Sequence, residues 1–197
     1  MTVGLFFGSF NPIHNGHIAI ANYMLDFTEM KELWFVVSPH NPFKKQQNML
    51  PENERLHLVN LAINDYSAYR SCDIEFRMPK PSYTVDTLVR LSGMYPQQKF
   101  ALIMGSDNLE QFHKWKNSGA IIANYHRYIY PRTDTSSQFL ENVPNATIVN
   151  APLMDISSSL VRQAIADEKD FSFYLNERVY QYVKEMNFYG LKMPQQR

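Results

Sequence analysis

The sequence predicts an α/β fold, a mostly parallel sheet with helices on both faces. Two observations carry that prediction. Short apolar runs bounded by turn residues recur along the chain, as buried parallel strands do, and a stretch of helical spacing follows most of them. Composition permits the core such a fold needs: 45% of the 197 residues are hydrophobic and 19% charged, which excludes a mostly disordered chain.

Residues 3–7 read as the first strand, 8–16 as a turn-rich loop and 17–27 as a helix on which Ile18, Ala21 and Leu25 recur, with Asn15 as its cap. Residues 33–37 read as the second strand, 39–50 as a loop and 51–63 as a helix with proline at its first position. A third strand is expected at 73–76 before a helix at 84–94, and a fourth at 100–104 before a helix at 108–115. Residues 127–130 and 147–150 supply the fifth and sixth strands. Helices at 158–166 and 176–186 follow, then a polar, frayed tail at 191–197. With no Gly/Ser linker or repeat, residues 1–190 read as one domain, doubly wound in the Rossmann-like manner. Ligands of such sheets bind beyond the carboxyl ends of the strands.

Charge and cysteine usage narrow the function classes. Nineteen basic residues balance nineteen acidic ones, so no global field recruits nucleic acid or an anionic membrane. The single Cys72 allows no internal disulfide and points to a reducing, cytoplasmic setting. The first ten residues lack the pattern of a signal peptide, and no stretch approaches the roughly 18 apolar residues of a spanning helix, so a soluble protein is expected. A zinc protein is disfavoured: His14 and His17 have no third ligand nearby in sequence, and His40, His57, His113 and His126 are scattered.

The first strand empties into Gly8-Ser9-Phe10-Asn11-Pro12-Ile13-His14-Asn15-Gly16-His17, with two histidines three apart around a glycine at the mouth of a helix. Free backbone donors there attract phosphate, glycine allows close approach, and each imidazole adds a donor. The alternative is a turn whose histidines merely cap the helix.

This segment resembles the HxGH signature of the nucleotidyltransferase α/β-phosphodiesterase superfamily, and Ile156-Ser157-Ser158-Ser159-Leu160-Val161-Arg162 resembles its ISSTxIR phosphate motif. Within that superfamily the chain is similar over nearly its whole length to the bacterial nicotinate-mononucleotide adenylyltransferases. Residues 39–44, Ser82-Tyr83-Thr84-Val85-Asp86-Thr87-Leu88 and Gly105-Ser106-Asp107-Asn108 match that family's basic loop, its SYTxDTL motif and its GxD(N/S) element. The resemblance implies transfer of an adenylyl group from ATP to nicotinate mononucleotide, with deamido-NAD and pyrophosphate as products and no covalent intermediate. It implies magnesium brought with ATP, no resident metal, and a possible homo-oligomer.

It also implies roles for residues. His14, His17, Lys44 and Arg162 become the catalytic cations and donors, His17 nearest the transferring phosphoryl group. Gly8, Ser9, Phe10, Gly16, Gly105, Asp107, Ile156, Ser157 and Ser158 join His14, His17 and Arg162 around ATP. Ser9, Asn11, Lys44, Tyr83, Thr84, Trp115 and Arg132 are placed on the mononucleotide, Trp115 stacking on the pyridine ring and Thr84 holding its carboxylate. Asp86 is assigned to the first turn of its helix, Trp34 to the core, and Arg55 to the neighbourhood of the site without a contact. Three departures stand out: Phe7 replaces the family's usual second glycine, Asn11 its usual aspartate, and Ser159 its usual threonine.

Rival readings remain. A dual-specificity enzyme accepting nicotinamide mononucleotide differs by a few hydrogen bonds. A non-catalytic nucleotide sensor is a second rival, disfavoured because binding alone needs no cations on both phosphate groups. A pantetheine-phosphate adenylyltransferase shares HxGH but lacks SYTxDTL.

Overall fold

The computed structural model describes residues 1–39, 49–132 and 143–190. Among the described residues, six strands form one sheet in the order β3-β2-β1-β4-β5-β6, every neighbouring pair parallel. The strands are β1 (Thr2–Gly8), β2 (Met30–Val37), β3 (Tyr69–Cys72), β4 (Lys99–Gly105), β5 (His126–Tyr130) and β6 (Ala146–Ile148). The helices are α1 (Asn15–Phe27), α2 (Glu52–Ile63), α3 (Thr84–Met94), α4 (Leu109–Phe112), α5 (Ser118–Asn124), α6 (Ser158–Ala166) and α7 (Glu177–Glu185).

Side chains alternate across the sheet with period two, and each face buries its own core. Phe6, Leu33, Phe35, Ala101 and Ile103 point to one face, under α1, α2, α6 and α7 through Met24, Leu58, Val161 and Val183. Val3, Leu5, Trp34, Val36, Leu102 and Ile129 point to the other, under α3, α4 and α5 through Leu88, Phe112 and Ile121. Trp34 is core, as the sequence suggested. None of the described helices is long and apolar enough to cross a membrane.

Four local expectations need correction. The third strand is Tyr69–Cys72, and the segment read as that strand is a 3₁₀ turn, Ile74–Arg77, whose buried Glu75 no sheet interior would hold unpaired. The cap of α1 is His14, in extended conformation, with Asn15 already helical. The helix expected at 108–115 is a 3₁₀ turn, Ser106–Asn108, followed by the single-turn α4. A separate helix, α5, then starts after Asn117 at φ +48°, a left-handed position that breaks helical continuity. The polar tail and the sequence around Lys44 lie outside the described residues.

The strand order places β1 at the centre, with α1 leading away to β2 on one side and β4 continuing to β5 on the other. The crevice of a doubly wound sheet opens where neighbouring strands send their connections in opposite directions, here beyond the carboxyl ends of β1 and β4.

Candidate active site

Two adjoining cavities occupy that crevice. They share Phe6, Phe7, Gly8 and Ser9 from the end of β1, with Asn108 and Tyr130. The larger, about 620 Å³, is lined by His14, His17, Arg132, Arg162 and Ser157–Ser159, and Asp107 is its only carboxylate among the described residues. The smaller, about 170 Å³, is lined by Trp115, Tyr83, Thr84, Lys114, Lys116 and Glu75. The larger is cationic and polar; the smaller is aromatic with hydroxyls, and also carries two lysines and one buried acid.

The loop after β1 is built around close approaches. Phe10 is buried at φ +46°, and its ring sits where a Cβ on Gly8 would stand 2.7 Å away, so glycine is required there. A Cβ on Gly16 would press to 3.0 Å of His14 Nδ1, so the second glycine lets the imidazole lie against the start of α1. The His14 and His17 rings stack with centroids 3.7 Å apart. Two imidazolium rings would repel in that arrangement, and His14, 5% exposed, is held neutral: burial, then the Arg132 guanidinium, pushes its pKa down to about 3. The His14 backbone N–H donates to His17 Nδ1 at 3.2 Å, which leaves the His17 proton on Nε2 in this geometry.

Arg162, on α6, donates to the Asn11 carbonyl at 2.7 Å and to Ser159 Oγ at 3.0 Å, so it ties α6 to the loop while lining the larger cavity. The motif serines also serve the framework. Ser157 Oγ caps α6 by accepting from the Leu160 N–H at 3.1 Å, and Ser158 Oγ donates to the Pro12 carbonyl at 2.9 Å. What the segment offers an anion is chiefly the amino end of a nine-residue helix. Asp107 is exposed at the mouth, its Oδ1 accepting from Asn108 Nδ2 at 3.1 Å.

The structure brings the expected residues together with few displacements. Phe10, Gly16, Asp107, Ile156, Ser157, Ser158, His14, His17 and Arg162 gather at the larger cavity, Tyr83, Thr84 and Trp115 at the smaller, with Gly8 and Ser9 between, while Lys44 lies outside the described residues. Gly105 lines the smaller cavity and not the larger, whereas Asn11 and Arg132, expected beside the mononucleotide, line the larger. Asn11 is held there because its Oδ1 accepts from the Leu50 N–H at 3.1 Å and the Tyr189 hydroxyl at 2.9 Å. Asp86 lies in the first turn of α3 as expected and also pairs with Lys116 at 2.8 Å, whose Nζ lies 4.7 Å from the centroid of the Tyr83 ring.

Sequence reading assigned no contact to three residues that shape this crevice. Arg55 is 1% exposed and donates to the carbonyls of Ser9, Ser38, Pro39 and Leu50 at 2.6–3.0 Å. Its Glu-Arg context hinted at a role, but a surface-type arginine in a helix gives no sign that it is buried. Glu75 and Tyr189 carried only weaker signals: an acid inside an apolar run, and a tyrosine near the tail.

Comparison with known proteins agrees with this geometry. A family model described as cytidylyltransferase-like matches residues 5–164. Proteins named probable nicotinate-nucleotide adenylyltransferase match closely: that of Cytophaga hutchinsonii is 47% identical over 96% of this chain and 99% of its own length, and that of Flavobacterium psychrophilum 46% identical over 96% and 99%. Among solved structures, a Plasmodium falciparum nicotinic acid mononucleotide adenylyltransferase complexed with NaAD superposes with a TM-score of 0.83, covering 98% of this chain and 99% of that one at 20% identity, which bears on the fold. Identity at this level along nearly the whole sequence places the chain in the cytidylyltransferase-like family and, within it, among the nicotinate-nucleotide adenylyltransferases.

Proposed function

We infer that the protein joins ATP and nicotinate mononucleotide to give deamido-NAD and pyrophosphate, a step of NAD biosynthesis. The observation that carries this reading is the pair of cavities meeting at the end of β1: a cationic one suited to a triphosphate and an aromatic one suited to a pyridine nucleotide. Two phosphorylated substrates seated there would meet at Gly8 and Ser9, which line both cavities.

The chemistry asks little beyond positioning and charge neutralisation. The 5′-phosphate oxygen of the mononucleotide attacks the α-phosphorus of ATP in line, and the bond to pyrophosphate breaks with its electron pair leaving on that group. His17 Nε2–H, His14, Arg132 and Arg162 surround the larger cavity as donors and cations for the developing charge, the kind of preorganised stabilisation that gives roughly 10²–10³-fold per donor. Lys44 is assigned by resemblance to the same task. No protein nucleophile is called for. Cys72 lines neither cavity, and burial pushes its thiol up, away from the reactive thiolate.

Magnesium would come with the nucleotide. Among the described residues no group of three His, Cys, Asp or Glu could hold an ion, and Asp107 alone offers a carboxylate to the larger cavity, a donor set that fits a cation carried mainly by phosphates. Bound there, it would neutralise charge on the leaving pyrophosphate.

The test is pyrophosphate release by the purified protein with ATP and magnesium, run in parallel on nicotinate mononucleotide, nicotinamide mononucleotide and phosphopantetheine. Preference for the nicotinate substrate is expected, with turnover abolished in His17→Ala. Equal use of both pyridine nucleotides would make the enzyme dual-specific, and silence with all three would leave a nucleotide-binding sensor.

A further inference from the structure

Glu75 sits on the 3₁₀ turn after β3, 2% exposed, and lines the smaller cavity. Each of its carboxylate oxygens accepts one hydrogen bond, Oε2 from Ser82 Oγ and Oε1 from Thr87 Oγ1, both at 2.7 Å. Those hydroxyls bracket the start of α3: Ser82 precedes the cap residue Tyr83, and Thr87 completes the first turn. The amides of Asp86 and Thr87 are bonded to the Tyr83 carbonyl, which leaves those of Thr84 and Val85 as donors of the helix end without a partner among the described residues.

A carboxylate is a costly group to bury, and no ion pair among the described residues compensates this one. A position that only had to fill space would be served at lower cost by leucine or methionine. The acid is instead clamped to the stretch of chain whose next residues, Tyr83 and Thr84, line the same cavity.

We propose that Glu75 is a positioning residue for the acceptor substrate: by holding Ser82 and Thr87 it fixes the first turn of α3, so that Thr84 and these helix-end amides face the carboxylate of the pyridine ring. This rests on the functional reading above. It also leaves Ser82 and Thr87 without a hydroxyl proton for the substrate carboxylate, because each donates to Glu75. Recognition of the acid then falls to the α3 amides, whose direction depends on a residue bonded to Ser82 and Thr87.

Steady-state kinetics of Glu75→Ala and Glu75→Gln in the full chain test this, with both pyridine nucleotides. Glu75→Ala is expected to raise the KM for nicotinate mononucleotide by about tenfold or more, to leave the KM for ATP within about twofold, and to narrow the preference over nicotinamide mononucleotide. Glu75→Gln, whose amide can still engage both hydroxyls, is expected within about threefold of wild type. If Glu75→Ala does not fold, Ser82→Ala removes one of the two bonds and is expected to show the same one-sided rise, smaller in size. An equal shift in both KM values, an unchanged acid preference, or a Gln variant as impaired as the Ala variant overturns the role while the activity stands. A wild-type protein inactive on nicotinate mononucleotide overturns the functional reading and this role together.

Discussion

His14 carries an acid sensitivity whose sign follows from its burial. Its folded pKa lies near 3 against an ordinary 6.5, so between those values the unfolded chain binds a proton that the folded protein refuses. Stability is therefore intact above about pH 6.5 and is lost as pH falls toward 3. Between pH 7 and 5 this one group should cost about 2 kcal/mol. Denaturant melts of wild type and His14→Asn at the two pH values check it, since the variant should lose less on acidification by that amount. Equal losses would mean the imidazole is not held neutral. The placement of His14 and His17 together at the mouth of α1 was legible in the sequence, because strand, turn and helix frame it locally. The neutrality of His14 was not, because it depends on burial by the folded chain and, after that, on Arg132, far away in sequence.

At the scale of elements, Arg55 joins three segments. From α2 it reaches the carbonyls that follow β1 and β2 and the one that leads into its own helix. Arg55→Met should leave those carbonyls without their donor and cost on the order of 3 kcal/mol, or ~10 °C in Tm for a chain of this size. Differential scanning calorimetry reads this directly; a shift under 2–3 °C, roughly 1 kcal/mol, would show that water replaces the guanidinium. Elements whose signals are local were legible to the residue, as α3 and α6 show, with apolar spacing and a hydroxyl at or near the cap. The edge strand β3 was not. Its Arg70 and Ser71 look like loop, whereas Ile74 and Phe76 alternate like a strand but lie half-buried on a 3₁₀ turn that keeps Glu75 inward. Likewise α5 was missed, because its seven residues are too few to show helical spacing and it starts only after the left-handed Asn117.

The whole molecule sets two cavities side by side at the end of one strand, and the proposed function gives each its own substrate. Trp115 belongs to the smaller cavity and Arg162 to the larger, so their loss should act on different substrates. Trp115→Ala is expected to raise the KM for the mononucleotide about tenfold, the ~1.4 kcal/mol of a lost aromatic stack, with little effect on ATP. Arg162→Ala should do the reverse, and substrate titrations of each variant check both. Equal effects on the two substrates would place both residues at the junction. The sequence could predict the doubly wound sheet because every βα unit announces itself within a few dozen residues. It could not predict that the larger cavity is closed by contacts spanning most of the chain.

Those contacts have a consequence for synthesis. The loop after β1 is among the first pieces to leave the ribosome, yet Arg162 bonds the Asn11 carbonyl across 151 positions, Phe173 receives the Asn15 amide across 158, and the Tyr189 hydroxyl reaches Asn11 across 178. A nascent chain can pair β1 with β2 early, since that needs only the first βα unit. The loop after β1 gains the Tyr189 hydroxyl, the most distant in sequence of these three partners, only when residue 189 has cleared the exit tunnel. Until then the growing polypeptide carries its signature motif without the shape that gives the motif a use.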